Sequence, residues 1–261
     1  MSAPQTTPTD LPRPEKLSAY TFVTRYSATT LPFKLALLVC VLVFAHIAAM
    51  VYYHEVAIEK FYSDPDRVRW YMIDHFDLDT ESGFGTYYSS IALLFIGRLL
   101  WQHAKITKRR GEVWCWWWFV LAVGFHWLSI DEVIAGHEVL NEHKSVIAKQ
   151  AGEDRVRWTA DGVWVAGAVG AAFLPFLWHI RWRLALFAAV GGSIYLGGAL
   201  GIEQATDKYQ DWGMLDTTEY LMWVALEEGM EMIGPVIFLA GLMPYLARDK
   251  ERMAAARDPA A

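Results

Sequence analysis

The sequence predicts an all-α integral membrane protein, a bundle of six transmembrane helices with both chain ends on the inner side. Composition is the first observation behind this. Of 261 residues 54% are hydrophobic and 13 are Trp, and mean hydropathy is positive, which suits a multi-pass membrane chain better than a soluble domain. The second is a set of six apolar runs, each close to the roughly 20 residues that cross a bilayer as a helix. The third is the placement of Lys and Arg at alternate ends of those runs, as the positive-inside rule requires.

Residues 1–30 are rich in Thr and Pro at their start and predict a disordered cytoplasmic tail, not a signal peptide. Residues 31–247 form the six-helix domain. Span one, 32–53, follows Arg13, Lys16, Arg25 and Lys34. Span two, 86–103, runs inward to Lys105, Lys108, Arg109 and Arg110. Span three, 113–134, returns outward. Spans four (162–180) and five (184–202) are parted only by Arg181-Trp182-Arg183, which predicts a tight helical hairpin. Span six, 220–245, ends before Arg248, Lys250 and Arg252, and 248–261 reads as a second cytoplasmic tail. The outer loops are then 54–85, 141–161 and 203–216. The middle one carries Lys144, Lys149, Arg155 and Arg157 and is the exception to the charge rule. Trp114, Trp116, Trp117 and Trp118 at the inner edge, with Tyr52, Tyr53, Tyr87 and Tyr88 at the outer edge, read as interfacial belts; packing inside the bundle is the alternative for each.

The net charge of −6 speaks against nucleic acid as a partner, since phosphate binding needs clustered Lys and Arg. Cys40 and Cys115 both sit in apolar runs and read as buried thiols. The lipid bilayer is the expected partner, and the acidic outer segment 54–85 reads as either a docking surface for another protein or a cap over a site.

The candidate site begins with Glu227, Glu228 and Glu231 inside span six. A carboxylate at membrane depth costs roughly 2–4 kcal/mol unless it is protonated, paired or bound to a cation. A second acidic group, Asp131 and Glu132 with His137 and Glu138, closes span three, which is expected to continue as a helix through His143. The topology sets these at one height with His46 and His126, and with Glu203 at the end of span five, so a polar cavity in the outer half is expected. At about 100° per residue, Glu227 and Glu231 share a face, as do Asp131 and Glu138, and His126 and His137. Pro235 frees the Glu231 carbonyl. Gly197 and Gly201 form a small-residue face for close packing.

Carboxylates and imidazoles on facing helices are the usual ligands of iron, zinc or manganese in a bundle. The expected ligand set is Asp131, Glu138, Glu227 and Glu231, completed by His126 or His137, with Glu132, Glu228, Glu203 and His46 around it or handling protons. A divalent metal (Fe, Zn or Mn) is the expected cofactor, and a metal-dependent membrane enzyme follows if a bound water is activated there. The Glu-x-x-His signature of di-iron bundles is absent. Two alternatives stand: a proton- or cation-coupled transporter component, and a structural or interaction subunit held by buried ion pairs.

The runs Leu-Ser-Ile-Asp-Glu-x4-His-Glu (Leu128 to Glu138) and Leu-Glu-Glu-Gly-Met-Glu-Met (Leu226 to Met232) resemble a group of uncharacterised bacterial multi-pass proteins with Ser-x-Asp-Glu…His-Glu and Glu-Glu-x-x-Glu-Met motifs. The resemblance implies a bacterial inner-membrane protein and brings no activity with it.

Overall fold

The structure, a computed structural model, describes residues 18–53, 73–136, 139, 158–215 and 217–257. A short turn, α1 (Ser18–Thr21), leads into α2 (Arg25–Tyr52), whose N-terminus is closed by a capping box between Thr24 and Ser27. Then come α3 (Phe84–Arg109), α4 (Cys115–Ile134), α5 (Trp158–His179) and α6 (Trp182–Leu196). Helix α6 passes into a π-helical segment, Gly197–Ile202, and on into α7 (Glu203–Trp212). The long α8 (Thr218–Arg257) runs on through Pro235 and Pro244. No strand occurs among the described residues.

Five of these helices are long and apolar enough to cross a membrane: α2, α4, α5, α6 with its extension, and α8. Helix α3, at 26 residues, has the length but a more polar sequence. The reason is its position. Thr86, Ser89, Gln102, His103 and Thr107 are all buried against protein, and a helix wrapped by other helices need not be apolar all round. Helices α2, α4 and α5 instead leave large side chains such as Phe44, Trp127 and Leu174 exposed.

Helix α8 is the hub, packed on α2, α3 and α6, while α3 pairs mainly with α4. Its register against α4 is antiparallel and regular. Trp118 stacks on Tyr245 at 5.8 Å and Phe125 on Phe238 at 5.4 Å, so each step of seven residues up α4 matches seven back along α8. One more step brings Glu132 opposite Glu231.

Against α6 the packing is so close that only glycine fits. A Cβ on Gly191 would lie 2.5 Å from the Gly234 carbonyl oxygen, and one on Gly198 would lie 2.8 Å from that of Glu227. The small-residue face expected at Gly197 and Gly201 is therefore shifted: Gly197 meets the end of Met230, whereas Gly201 has no neighbour within 4 Å. The π-helical residues rotate the face by part of a turn, which a 3.6-residue period does not anticipate. Helix α3 is tied to α4 by two serines, each hydroxyl donating to the other's backbone carbonyl at 2.8 Å.

One end of the bundle is basic. Residues 18–30, expected as tail, are packed there: Tyr20 is fully buried, its hydroxyl 2.9 Å from His103 Nδ1, and Lys250 donates to the Tyr20 and Val23 carbonyls. Arg25 pairs with Glu251, and Arg110 makes a two-pronged pair with Asp249 at 2.8 and 2.9 Å. Residues 248–257 are thus helical and anchored. Of the four clustered tryptophans only Trp116 behaves as a belt residue, exposed with Lys108 over its ring. Trp118 is buried, Trp117 packs on Phe173 and Phe176, and Trp114 stacks on His179.

Candidate carboxylate site

At the opposite end the two acidic groups meet. The charges acting most strongly on Glu231 are those of Glu132, Glu227, Glu203 and Glu81. Glu228 lies within the electrostatic reach of Glu231, Glu132, Glu227 and Asp79. The carboxylates thus come from α4, from the start of α7, from α8 and from the segment ahead of α3. Each has a local cause. Glu132 arrives through the antiparallel register with α8. Glu203 is brought in by the π segment, where Gly198 lets α6 lie on the Glu227 carbonyl and on Glu231 Cγ, 2.8 and 3.0 Å from an added Cβ. Glu228 and Glu231 are surrounded by protein yet keep partial contact with accessible surface.

Asp131 stands at the end of its helix. Helix α4 ends at Ile134 because Ala135 adopts the left-handed conformation, with φ 49°, its N–H bonded to the Asp131 carbonyl. The Asp131 carboxylate folds over that end: a Cβ on Gly136 would lie 2.6 Å from Asp131 Oδ1. Helix α4 stops at Ile134, and the continuation expected through His143, with the faces expected for Asp131 with Glu138 and for His126 with His137, falls on residues outside those described. His137 and Glu138 themselves lie outside the described residues.

The two remaining histidines pack elsewhere. His126 lies against α3, with its Nδ1 2.6 Å from the Ala122 carbonyl and 2.7 Å from where a Gly97 Cβ would sit. His46 is fully buried and serves as a staple. Its Nδ1 accepts from the Leu78 N–H at 3.0 Å, so the proton sits on Nε2, which faces the Leu221 carbonyl at 3.4 Å. That joins α2, α8 and the segment 73–83 in one contact, with Asp77 Oδ1 3.4 Å from Nδ1.

The segment 73–83 is a folded cap. Leu78 is buried with Val39, Tyr88, Val224 and Met232. The Phe84 N–H donates to the His75 carbonyl at 2.9 Å, and Tyr220 donates to Asp79 at 3.3 Å. A side chain at Gly83 would strike the Asp77 carbonyl at 2.8 Å, so the turn requires glycine there. Residues 54–72 lie outside the described part of this loop.

Sequence reasoning missed Glu81, Asp79 and Tyr195. Tyr195 lies within reach of the charges of Glu231, Glu132, Asp131 and Glu228. A hydroxyl in the middle of an apolar run, eight residues before Glu203, was the available signal.

Several carboxylates that share one poorly solvated region carry a cost that protons or cations relieve. Among the described residues, no three of His, Cys, Asp or Glu are arranged as a ready ligand set for a metal ion. No curated protein and no solved structure matches the chain. A model of the domain of unknown function DUF8692 matches residues 25–246, nearly the whole helical bundle, and the chain belongs to that family.

Proposed function

We propose that this is a six-span protein of a bacterial inner membrane, N-in and C-in, whose acidic end holds a divalent metal ion in an outward-facing crevice. Helix α3 is the sixth span, its modest hydropathy explained by burial. The placing of Tyr20, Arg110 and Lys250 at one end supports an even number of crossings, and the positive-inside rule makes that end cytoplasmic. The revised ligand set is Glu132, Glu227, Glu228 and Glu231, with Glu203 and Tyr195 beside them. What supports this reading is the close seat of the π segment on Glu231 at Gly198, just ahead of Glu203, together with the charges of Glu132 and Glu203 acting on Glu231. A cation entering the crevice draws these carboxylates inward by side-chain rotation, and the cap 73–83 with Glu81 closes over it. If the ion is catalytic, a bound water is the reactive group.

A second reading is a cluster that shares protons in place of a metal. The lack of a preformed ligand set among the described residues favours it. Passage right through the bundle is disfavoured, because Ile96, Leu99, Leu100, Leu239 and Leu242, all fully buried, form a dry layer between the acidic crevice and the His103 network. Elemental analysis of detergent-purified protein decides between the readings. Stoichiometric iron, zinc or manganese that is lost in Glu231→Gln supports the metal site, and metal-free protein that binds none on titration refutes it.

A further inference from the structure

The basic end carries a second feature, independent of the carboxylate site. A shallow groove of about 410 Å³ opens between the α5–α6 hairpin and the end of α8, lined by Arg181, Arg248, Glu251, Arg252 and Ala255. Its one carboxylate is already engaged: Glu251 accepts from Arg25 at 2.6 and 2.9 Å. Arg181, Arg248 and Arg252 form no ion pair with the described residues. Three guanidinium groups therefore share one concavity with a single described carboxylate, Glu251, which is already engaged by Arg25. They are held there by covalent geometry, since Arg181 caps the start of α6 and Arg248 and Arg252 are one helical turn apart on α8.

What surrounds the groove indicates the anion. Trp178 and Trp182 flank Arg181 in sequence and are among the most exposed large side chains of the molecule, at 93% and 69%. Tryptophans so placed beside arginines are suited to the headgroup level of a bilayer, and basic pockets between helices on the cytoplasmic side take anionic headgroups. Guanidinium binds phosphate oxygens through paired N–H donors. We propose that this groove is a binding site for the phosphate of an acidic phospholipid, with Arg181, Arg248 and Arg252 as its ligands and Trp178 and Trp182 against the acyl boundary.

Native mass spectrometry of the full chain in detergent, titrated with phosphatidylglycerol or phosphatidylcholine, tests this. The wild type is expected to retain phosphatidylglycerol preferentially, and each of Arg181→Gln, Arg248→Gln and Arg252→Gln to weaken it by roughly fivefold. The three groove substitutions combined are compared with a variant carrying Lys105→Gln, Lys108→Gln and Arg109→Gln, which removes the same three charges from exposed positions at the same end and is expected to keep most of the binding. Because all three groove arginines are exposed, an unchanged unfolding temperature confirms that the variants are folded. Equal loss in the groove and comparison triples would overturn the proposal, leaving only diffuse surface charge. So would groove-dependent binding of inorganic phosphate with no preference between the two lipids.

Discussion

Replacing Gly191 by Ala tests the packing that brings α6, and with it Glu203, to α8. The added Cβ would lie 2.5 Å from the Gly234 carbonyl oxygen and 3.0 Å from the Phe238 nitrogen, where ordinary contact begins at 3.4 Å. Both obstacles are backbone, so no side chain can swing aside. The helices must part by about 1 Å at that level, a gap that forfeits a quarter to a half of each affected dispersion contact. Overpacking of this kind costs about 1–3 kcal/mol, or very roughly 2–12 °C of unfolding temperature for a chain of this size. The neighbouring Gly192 has no heavy atom within 4 Å, so Gly192→Ala in the same helix is the control and should be neutral or slightly stabilising. The assay is thermal unfolding in one detergent, followed by fluorescence-detected size exclusion. If Gly191→Ala melts no lower than Gly192→Ala, the close α6–α8 contact is wrong, and the route by which Glu203 reaches the site fails with it.

Asp249→Ala removes the two-pronged partner of the half-buried Arg110, which keeps only Glu112 at 3.3 Å, and should destabilise by about 1.5–3 kcal/mol, while adding Arg110→Ala should restore part of the loss in the same unfolding assay. Tyr20→Phe deletes the bond to His103 and should cost about 1 kcal/mol, a value a disordered tail would not give. A double-mutant cycle of Ser90→Ala and Ser129→Ala should show a coupling of about 0.6 kcal/mol, the usual size of an interhelical hydrogen bond in a membrane bundle. His46→Phe leaves the Leu78 N–H without its acceptor, and amide exchange at 76–80 should quicken relative to α8.

Much of this architecture is legible in the sequence because apolar length and charge placement are one-dimensional signals. The helical runs at 32–53, 113–134 and 184–202 lie along helices of the structure and overrun them by two residues at most, and Glu227, Glu228 and Glu231 stand out on cost alone. What the sequence hides is rotation and termination. Nothing in the motif from Leu128 to Glu138 announces that Ala135 turns left-handed and ends the helix there. The π segment at Gly197–Ile202 likewise breaks the period by which Gly197 and Gly201 were paired. His103 sits at the end of a run and reads as solvated, yet Tyr20, 83 residues away, seals it. That contact depends on the chain folding back, which no local pattern encodes.

The central claim is that carboxylates from α4 and α8 form one cation site. The direct measurement is the unfolding temperature of the full chain in detergent, with chelator or with a divalent metal, in wild type, Glu132→Gln and Glu231→Gln. A metal at a hundred times its dissociation constant should stabilise the wild type by about 2.7 kcal/mol. Either substitution, on its separate helix, should abolish that rise. A rise that survives in one of the two variants, or no rise with iron, zinc or manganese, would contradict it.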